Sequence, residues 1–410
     1  MKLSTICSIG TDFHMTYPEQ IKEKATSAAS PLLIVFAFVL PLSTSAGSIL
    51  AILLILAWFL SGNFDEKLKI ISRNPVAIIV LFYILLHIIG LLWTEELYWG
   101  LHILEKQWKL LLFPILLTLA KKDHTKYYLS AFVVAIFIKA CKAYLVWLGF
   151  ISLPPGSIFT TYATSHVIYN PMLALAIYIV GQNLLFSKNK PLAMWLQIGL
   201  IIFLSCNMFI TAGRTGQVAF FVLLTITLFQ YFYPRSKKCL FICLFLLPFL
   251  VISIFQCSPT FKNRINTAIT EIQNSGSMEI TSMGCRFWFY QNTMQLLKKH
   301  WMVGAGTGDF PAEYAKINTL QSPIMPNTDN PHNQYLLVTS QFGMIGLITL
   351  FAIFLTQFSL AFKNRDALTP LRQAFPIFFL VIMMAESYLQ VYETGFLFSL
   401  FSAFLYNVET

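Results

Sequence analysis

Charge is what this sequence has least of. Only 11% of its 410 residues are Asp, Glu, Lys or Arg, against about 25% in soluble globular chains. A chain this long and this poor in charge cannot cover a water-facing surface, so lipid must be the solvent for most of it. The first thirty residues lack the short apolar core and cleavage site of a secretory leader, and are expected to form a cytoplasmic tail. No Cys-x-x-Cys pair occurs among the seven cysteines, and no residue set has metal-ligand spacing, so neither metal nor cofactor is expected. Cys141, Cys206, Cys239 and Cys243 stand inside apolar runs as packing residues, whereas pairing of Cys257 with Cys285 stays open. The alternating ten-residue segments of a barrel are missing, as are repeats, low-complexity tracts and a separate soluble domain. The net charge of +10 does not point to nucleic acid, because the basic residues fall in short connections between apolar runs, where topology signals sit.

What is present is a succession of apolar runs. A bilayer core about 30 Å thick needs roughly 20 apolar residues per helix. Twelve spans are predicted, at 29–44, 46–62, 75–93, 100–120, 127–149, 164–186, 191–211, 214–233, 238–257, 340–362, 371–390 and 392–407. The fold class is therefore all-α, a polytopic transmembrane helical bundle of about twelve spans. Residues 1–257 hold the tail and nine spans, 258–339 a large loop with amphipathic helices, and 340–410 three further spans. Lys67, Lys69, Arg73, Lys121, Lys122, Lys126, Arg235, Lys237, Lys363 and Arg365 all fall in even-numbered connections. The positive-inside rule then places both termini in the cytoplasm and the 258–339 loop outside. Loops this long are usually functional.

Four constellations carry possible chemistry. Arg214, in FITAGRTGQ, stands at the outer end of a span between glycines that permit close approach, as an anion site would need. A snorkelling interfacial arginine is the plainer reading. Lys106 and Lys109 are three apart in the fourth span, with His102 on their face, and Lys139 and Lys142 are three apart in the fifth. A lysine at the bilayer centre costs about 2.5–3.5 kcal/mol. A short loop makes these spans antiparallel neighbours, so the four lysines are expected to line one anion-binding cavity. Pairing with Glu105 and snorkelling would absorb one or two of them.

The third constellation is the far end of the loop, SMGCRFWFY, WMVGAGTGDF and NPHNQYLLVTSQFGMIGL. Arg286 opens an amphipathic helix over 286–301, and Gly304, Gly306 and Gly308 break the chain after it. His332 follows Asp329, Asn330 and Pro331 at the start of the next helical run. An imidazole takes up a proton readily near neutral pH, so His332 is a candidate general base, with Asp329 as its orienting partner. A helix cap is the plainer reading. Asn333 beside it joins the candidate substrate-binding residues. Fourth, Glu386 and Glu393 flank the last outer turn, where they would balance the basic cavity, hold a sugar hydroxyl, or be interfacial structural groups.

The order AGRTG, GCRFWFY, GAGTGDF and PHNQYLLVTSQFGMIGL resembles the O-antigen ligase and O-antigen polymerase family of membrane-embedded GT-C-type glycosyltransferases. The similarity covers roughly residues 200–362 by motif and the remainder by topology. It implies an inverting, metal-independent transfer at the periplasmic face of the bacterial inner membrane. The implied donor is a glycan on undecaprenyl diphosphate, and the ligase acceptor is lipid A–core oligosaccharide. Family arginines that engage the diphosphate map onto Arg214 and Arg286, and the proposed family base maps onto His332. Basic residues of the family's fourth span are matched by Lys106 and Lys109, as lysine where arginine is common. Ligase is favoured over polymerase by compact length and a single large outer loop. A solute transporter would show inverted repeats or paired broken helices. A protein O-oligosaccharyltransferase would carry a soluble carboxyl-terminal part, and this chain stops at Thr410. Glycan, acceptor sugar and oligomeric state are left open.

The topology yields a direct check. A cysteine replacing Asn274 should react with a membrane-impermeant thiol reagent in intact spheroplasts; protection would reverse the orientation.

Overall fold

A computed structural model describes residues 17–153, 165–188, 190–273, 280–363 and 365–407. The first sixteen residues of the expected tail, and Asn274, lie outside the described residues. The described residues form helices and connecting turns, with no strand among them. In chain order the helices are α1 (Tyr17–Val39), α2 (Thr44–Leu60), α3 (Phe64–Arg73), α4 (Pro75–Ile89), α5 (Leu97–Lys106), α6 (Trp108–Leu119), α7 (Thr125–Trp147), α8 (His166–Phe186), α9 (Pro191–Ile210), α10 (Arg214–Phe232), α11 (Lys237–Cys257), α12 (Pro259–Gln273), α13 (Ser282–His300), α14 (Phe310–Gln321), α15 (Gln334–Lys363), α16 (Thr369–Ile382) and α17 (Tyr392–Leu405).

Each of the twelve apolar runs contains a helix, but the runs are not equivalent. Among the described residues, seven helices are long and apolar enough to cross a membrane: α4, α7, α8, α9, α10, α11 and α15, with α4 and α7 each taken together with an adjoining 3₁₀ turn. An eighth would be α2 with α3, which meet at a bend of 117°. The bend has a backbone cause, since Gly62 and Asn63 both hold positive φ, 59° and 53°, the conformation that ends a helix. The run at 100–120 divides into α5 and α6 around Gln107. The last two runs yield α16 and α17, only 14 residues each, which reach about 21 Å.

Burial explains how so short a helix as α17 is placed. From Glu393 to Leu405 every residue of it is buried, the signature of a helix enclosed by others. It packs chiefly on α6. Phe401 meets Phe132 of α7 at 5.3 Å and Phe375 of α16 at 5.5 Å between ring centroids. Phe396 meets Phe36 of α1 at 5.5 Å. At the other extreme α11 buries only Leu240 and presents apolar side chains such as Phe241, Phe245 and Phe249 outward, as a lipid-facing helix does. Within the long loop, α13 packs on α14 and α15 around Phe289, Leu296, Phe310, Tyr314 and Leu337. Cys257 and Cys285 are both free thiols.

The glycine-rich segment after α13 closes a broken helix. Gly343 interrupts α15 with φ 59° and ψ −150°. That break frees the carbonyls of Ser340 and Gln341, which cannot stay unpaired away from water. The N–H groups of Ala305 and Gly306 donate to them at 2.8 and 3.1 Å, and Met344 N–H donates to Trp301 O at 2.9 Å. Gly304 and Gly306 reach this position with φ of 80° and 116°. The GAGTG run is thus a backbone plug for α15.

The plug gives a stability prediction. A Cβ on Gly343 would lie 2.2 Å from the carbonyl carbon of Met302, and the positive φ alone costs about 1–3 kcal/mol for other residues. Gly343→Ala should lower the thermal midpoint in detergent by several degrees. Gly181→Ala, where a Cβ meets nothing within 4 Å, should not.

Candidate functional site

The end of the bundle that carries the long loop gathers most of the chemistry. Asn333 caps α15 there, its Oδ1 accepting from Tyr335 N–H at 3.0 Å and Leu336 N–H at 3.2 Å. His332 precedes it with φ 53°, an uncommon conformation for a residue with a side chain. The strain is held by neighbours, since His332 N–H donates to Asn330 Oδ1 at 2.9 Å and the imidazole stacks on Phe289 at 5.8 Å. The effect is to aim the ring across to the turn between α16 and α17.

In that turn stands Glu386. His332 Nδ1 lies 2.6 Å from Glu386 Oε2. The other carboxylate oxygen accepts from Asn330 Nδ2 at 2.7 Å and from the Ser387 N–H at 2.9 Å. Ser387 Oγ donates back to Asn330 Oδ1 at 2.8 Å. Burial opposes ionisation of Glu386, but the bonds from His332, Ser387 and Asn330 outweigh it and hold the carboxyl below its usual range. An ionised Glu386 fixes the proton on Nδ1 and leaves Nε2 as the basic nitrogen. Sequence reasoning offered Asp329 as this partner; three residues of separation suggested it, but the left-handed His332 backbone turns the ring away toward Glu386. Asp329 is exposed.

A cluster of cations adjoins this pair. Arg214, Arg264 and Arg286 all lie within electrostatic range of His166 at the start of α8. Arg214 and Arg286, 72 positions apart by number, are thereby brought to one place through α10 and α13. Glu271 on α12 meets Arg214 Nη2 at 3.4 Å, while Arg214 Nη1 is buried without a hydrogen-bond partner. Burial and the neighbouring Arg214 charge lower the pKa of Arg264, with Glu271 acting against them and Arg286 adding to the shift, which marks excess positive potential. Sequence reasoning missed Arg264, which sits on an amphipathic loop helix with no motif around it, and His166. The glycines beside Arg214 have another use than the one expected: a Cβ on Gly213 or Gly216 would strike Asn170 of α8, so they admit that helix. Arg286 is one helical turn before Tyr290, whose Oη lies 3.2 Å from His332 O and 3.0 Å from Met384 O. Tyr290 thus links the cations to the imidazole–carboxylate pair.

The lysines are arranged differently from expectation. The fourth and fifth runs are not direct neighbours, since α6 packs on α17 while α7 packs on α1, α8 and α9. α17 stands between them, and its Glu393 acts electrostatically on both Lys109 and Lys139. Lys109 is 4% exposed, its stem laid along Gly395. Lys106 stands over the Trp99 ring at 5.5 Å and Lys142 is exposed. The four thus divide into a buried Lys109 and a half-buried Lys139 that both feel Glu393, and Lys106 and Lys142 apart from them, not one ring of cations.

A multi-pass helical membrane protein with a cation cluster and a histidine–carboxylate pair under one long loop is the class that this arrangement defines. The segment of residues 199–351 matches the O-antigen ligase family. It contains Arg214, Arg264, Arg286 and His332, while Glu386 and His166 lie outside it. No curated protein matches the chain.

The depressed Glu386 pKa has a signed consequence. A carboxyl whose pKa is lower folded than unfolded stabilises the fold above the unfolded value, and that contribution disappears as pH falls through the folded value. Below about pH 4.5 the wild-type thermal midpoint should fall more steeply than that of Glu386→Gln, which lacks this titration. Parallel curves would show that Glu386 is not held ionised by its partners.

Proposed function

We propose that this protein transfers a glycan from undecaprenyl diphosphate to lipid A–core oligosaccharide, on the periplasmic side of the bacterial inner membrane. The observation that carries the reading is the His332–Glu386 contact of 2.6 Å, placed one side chain, Tyr290, away from the cluster of Arg214, Arg264 and Arg286. A diphosphate leaving group needs converging cations, and an acceptor hydroxyl needs a base beside them.

The reaction balances with these groups alone. His332 Nε2 takes the proton from the acceptor hydroxyl as its oxygen bonds to the anomeric carbon from the face opposite the diphosphate. The bond from that carbon to the diphosphate oxygen breaks, its electron pair leaves with polyprenyl diphosphate, and the anomeric configuration inverts. Arg214 and Arg286, with Arg264, receive the charge through charge-assisted hydrogen bonds. Glu386 holds the imidazole tautomer and steadies the imidazolium that forms. Asn333, spent on the α15 cap, serves as a positioning residue here. Nothing in this scheme asks for a metal. Polymerase chemistry would share every step and differ in the acceptor, which the lipopolysaccharide ladder of a deletion strain reports. Loss of a ligase leaves core only, whereas loss of a polymerase leaves core plus one unit.

General-base catalysis contributes about 10²–10⁴-fold. With purified donor and acceptor, His332→Ala should lose detectable transfer while still binding donor, and His332→Gln should be nearly as inactive. Glu386→Gln should lower kcat by at least about tenfold, because the amide no longer fixes the imidazole tautomer, with both KM values little changed. A His332→Gln enzyme with kcat within a few fold of wild type would remove His332 from the base role. Full activity of Arg214→Ala would dismiss the diphosphate site.

A further inference from the structure

A second concavity opens beside the 327–329 turn that leads into His332. Its volume is about 690 Å³, and its walls come from the start of α5, from α14 and from the 327–329 turn. None of these elements contributes to the arginine cluster. Glu96, Trp99, Tyr98, Asn327, Thr328 and Asp329 line it, and none of its lining residues is basic. The 327–332 segment runs from this groove directly into His332, and Thr328 Oγ1 accepts from Asn330 N–H at 3.1 Å. The groove and the imidazole are therefore two ends of one braced turn.

The walls are fixed in place. Asp309 accepts from the N–H groups of Glu95 and Glu96 at 3.0 and 2.8 Å, capping α5 from another segment. Gly308 lies so close to α5 that a Cβ there would be 2.4 Å from Gly100 N. Lys106 covers one part of the Trp99 ring at 5.5 Å, and His102 packs beside it at 5.0 Å between centroids. Tyr98 next to it is 86% exposed.

We infer that this groove is the binding site for an uncharged saccharide stretch of the acceptor, and that it rejects phosphorylated sugars. The inference rests on the transferase reading given above. The chemistry of the wall selects the ligand. Aromatic faces suit the apolar C–H faces of pyranose rings. Carboxylates, an amide and a hydroxyl suit sugar hydroxyls, with charge-assisted bonds to Glu96 and Asp329. Those same carboxylates repel a phosphate. A saccharide seated there points along the 327–332 turn toward His332 Nε2, while the donor's diphosphate stays with the arginines. The groove thus supplies the sorting of the two substrates by charge.

Direct binding tests this without turnover. The protein in lipid nanodiscs is mixed with delipidated core oligosaccharide, either native or enzymatically dephosphorylated, and saturation-transfer NMR reports contact. The dephosphorylated oligosaccharide should bind the wild type more tightly than the native one. Trp99→Ala should weaken binding at least about tenfold, and the Glu96→Lys, Asp329→Lys double variant should reverse the preference toward the phosphorylated form. Binding of undecaprenyl diphosphate, measured separately, should not change in either variant. Equal binding by wild type and Trp99→Ala, absence of oligosaccharide binding, or an unchanged preference in the double variant would each overturn the proposal. If Trp99→Ala and Tyr98→Ala lower only the thermal midpoint in lipid, the pair is an interfacial anchor and the proposal falls. A wild type that binds oligosaccharide but transfers nothing from purified donor would fault the transferase reading and leave the groove standing.

Discussion

An ionised carboxylate held in a buried turn organises this end of the molecule. Taking Glu386 out of water is costly unless its oxygens are bonded, and the bonds come from three directions: the His332 ring, the Asn330 amide and the Ser387 backbone. Those bonds join the turn after α16 to the segment before α15, and they hold His332 in a backbone conformation it would not keep alone. The carboxylate therefore sets the position of the imidazole, its tautomer and the shape of the 327–333 turn together. The adjacent groove inherits its rigidity from the same turn.

The second constraint is the cost of cations away from water, and the chain meets it in two ways. Lys109 and Lys139 both feel Glu393, a carboxylate that offsets part of their charge. Arg214 is paired with Glu271, and burial, together with the charges of Arg214 and Arg286, lowers the pKa of Arg264 against the pull of Glu271. An arginine presents a planar fork suited to phosphate oxygens, whereas a lysine offers a point charge. The planar fork of the arginines, rather than the count of cations, distinguishes a place for a diphosphate from the lysines.

Much of the architecture was legible because lipid imposes a simple rule: backbone polar groups must pair within a helix, so apolar runs become helices. What escaped was what packing decides. The run at 100–120 is continuous in hydropathy, yet it breaks at Gln107. α17 looked like a short final span, and its burial by α1, α6, α7 and α16 separates the two lysine helices that a short loop had suggested were neighbours. At the site, His332, Arg214 and Arg286 were legible from motif order. Glu386 was visible as a polar residue in an apolar stretch, but its partner was not, since 54 positions separate the two. Arg264 stood in an ordinary amphipathic helix, and only the fold brings it beside Arg214. The glycines misled in the same way, because a glycine signals close approach without naming what approaches: α8 at Gly213 and Gly216, the α15 break at Gly304, Thr94 at Gly306.

The central claim is that the arginine cluster holds the donor's diphosphate within reach of His332. It is tested most directly by a density map of the protein in nanodiscs with undecaprenyl diphosphate bound. The account predicts two phosphate densities among Arg214, Arg264 and Arg286, on the side of Tyr290 that faces His332, with the His332–Glu386 contact intact. Phosphate density at Lys109 and Lys139, or at any place from which His332 Nε2 cannot approach the anomeric carbon, would contradict it.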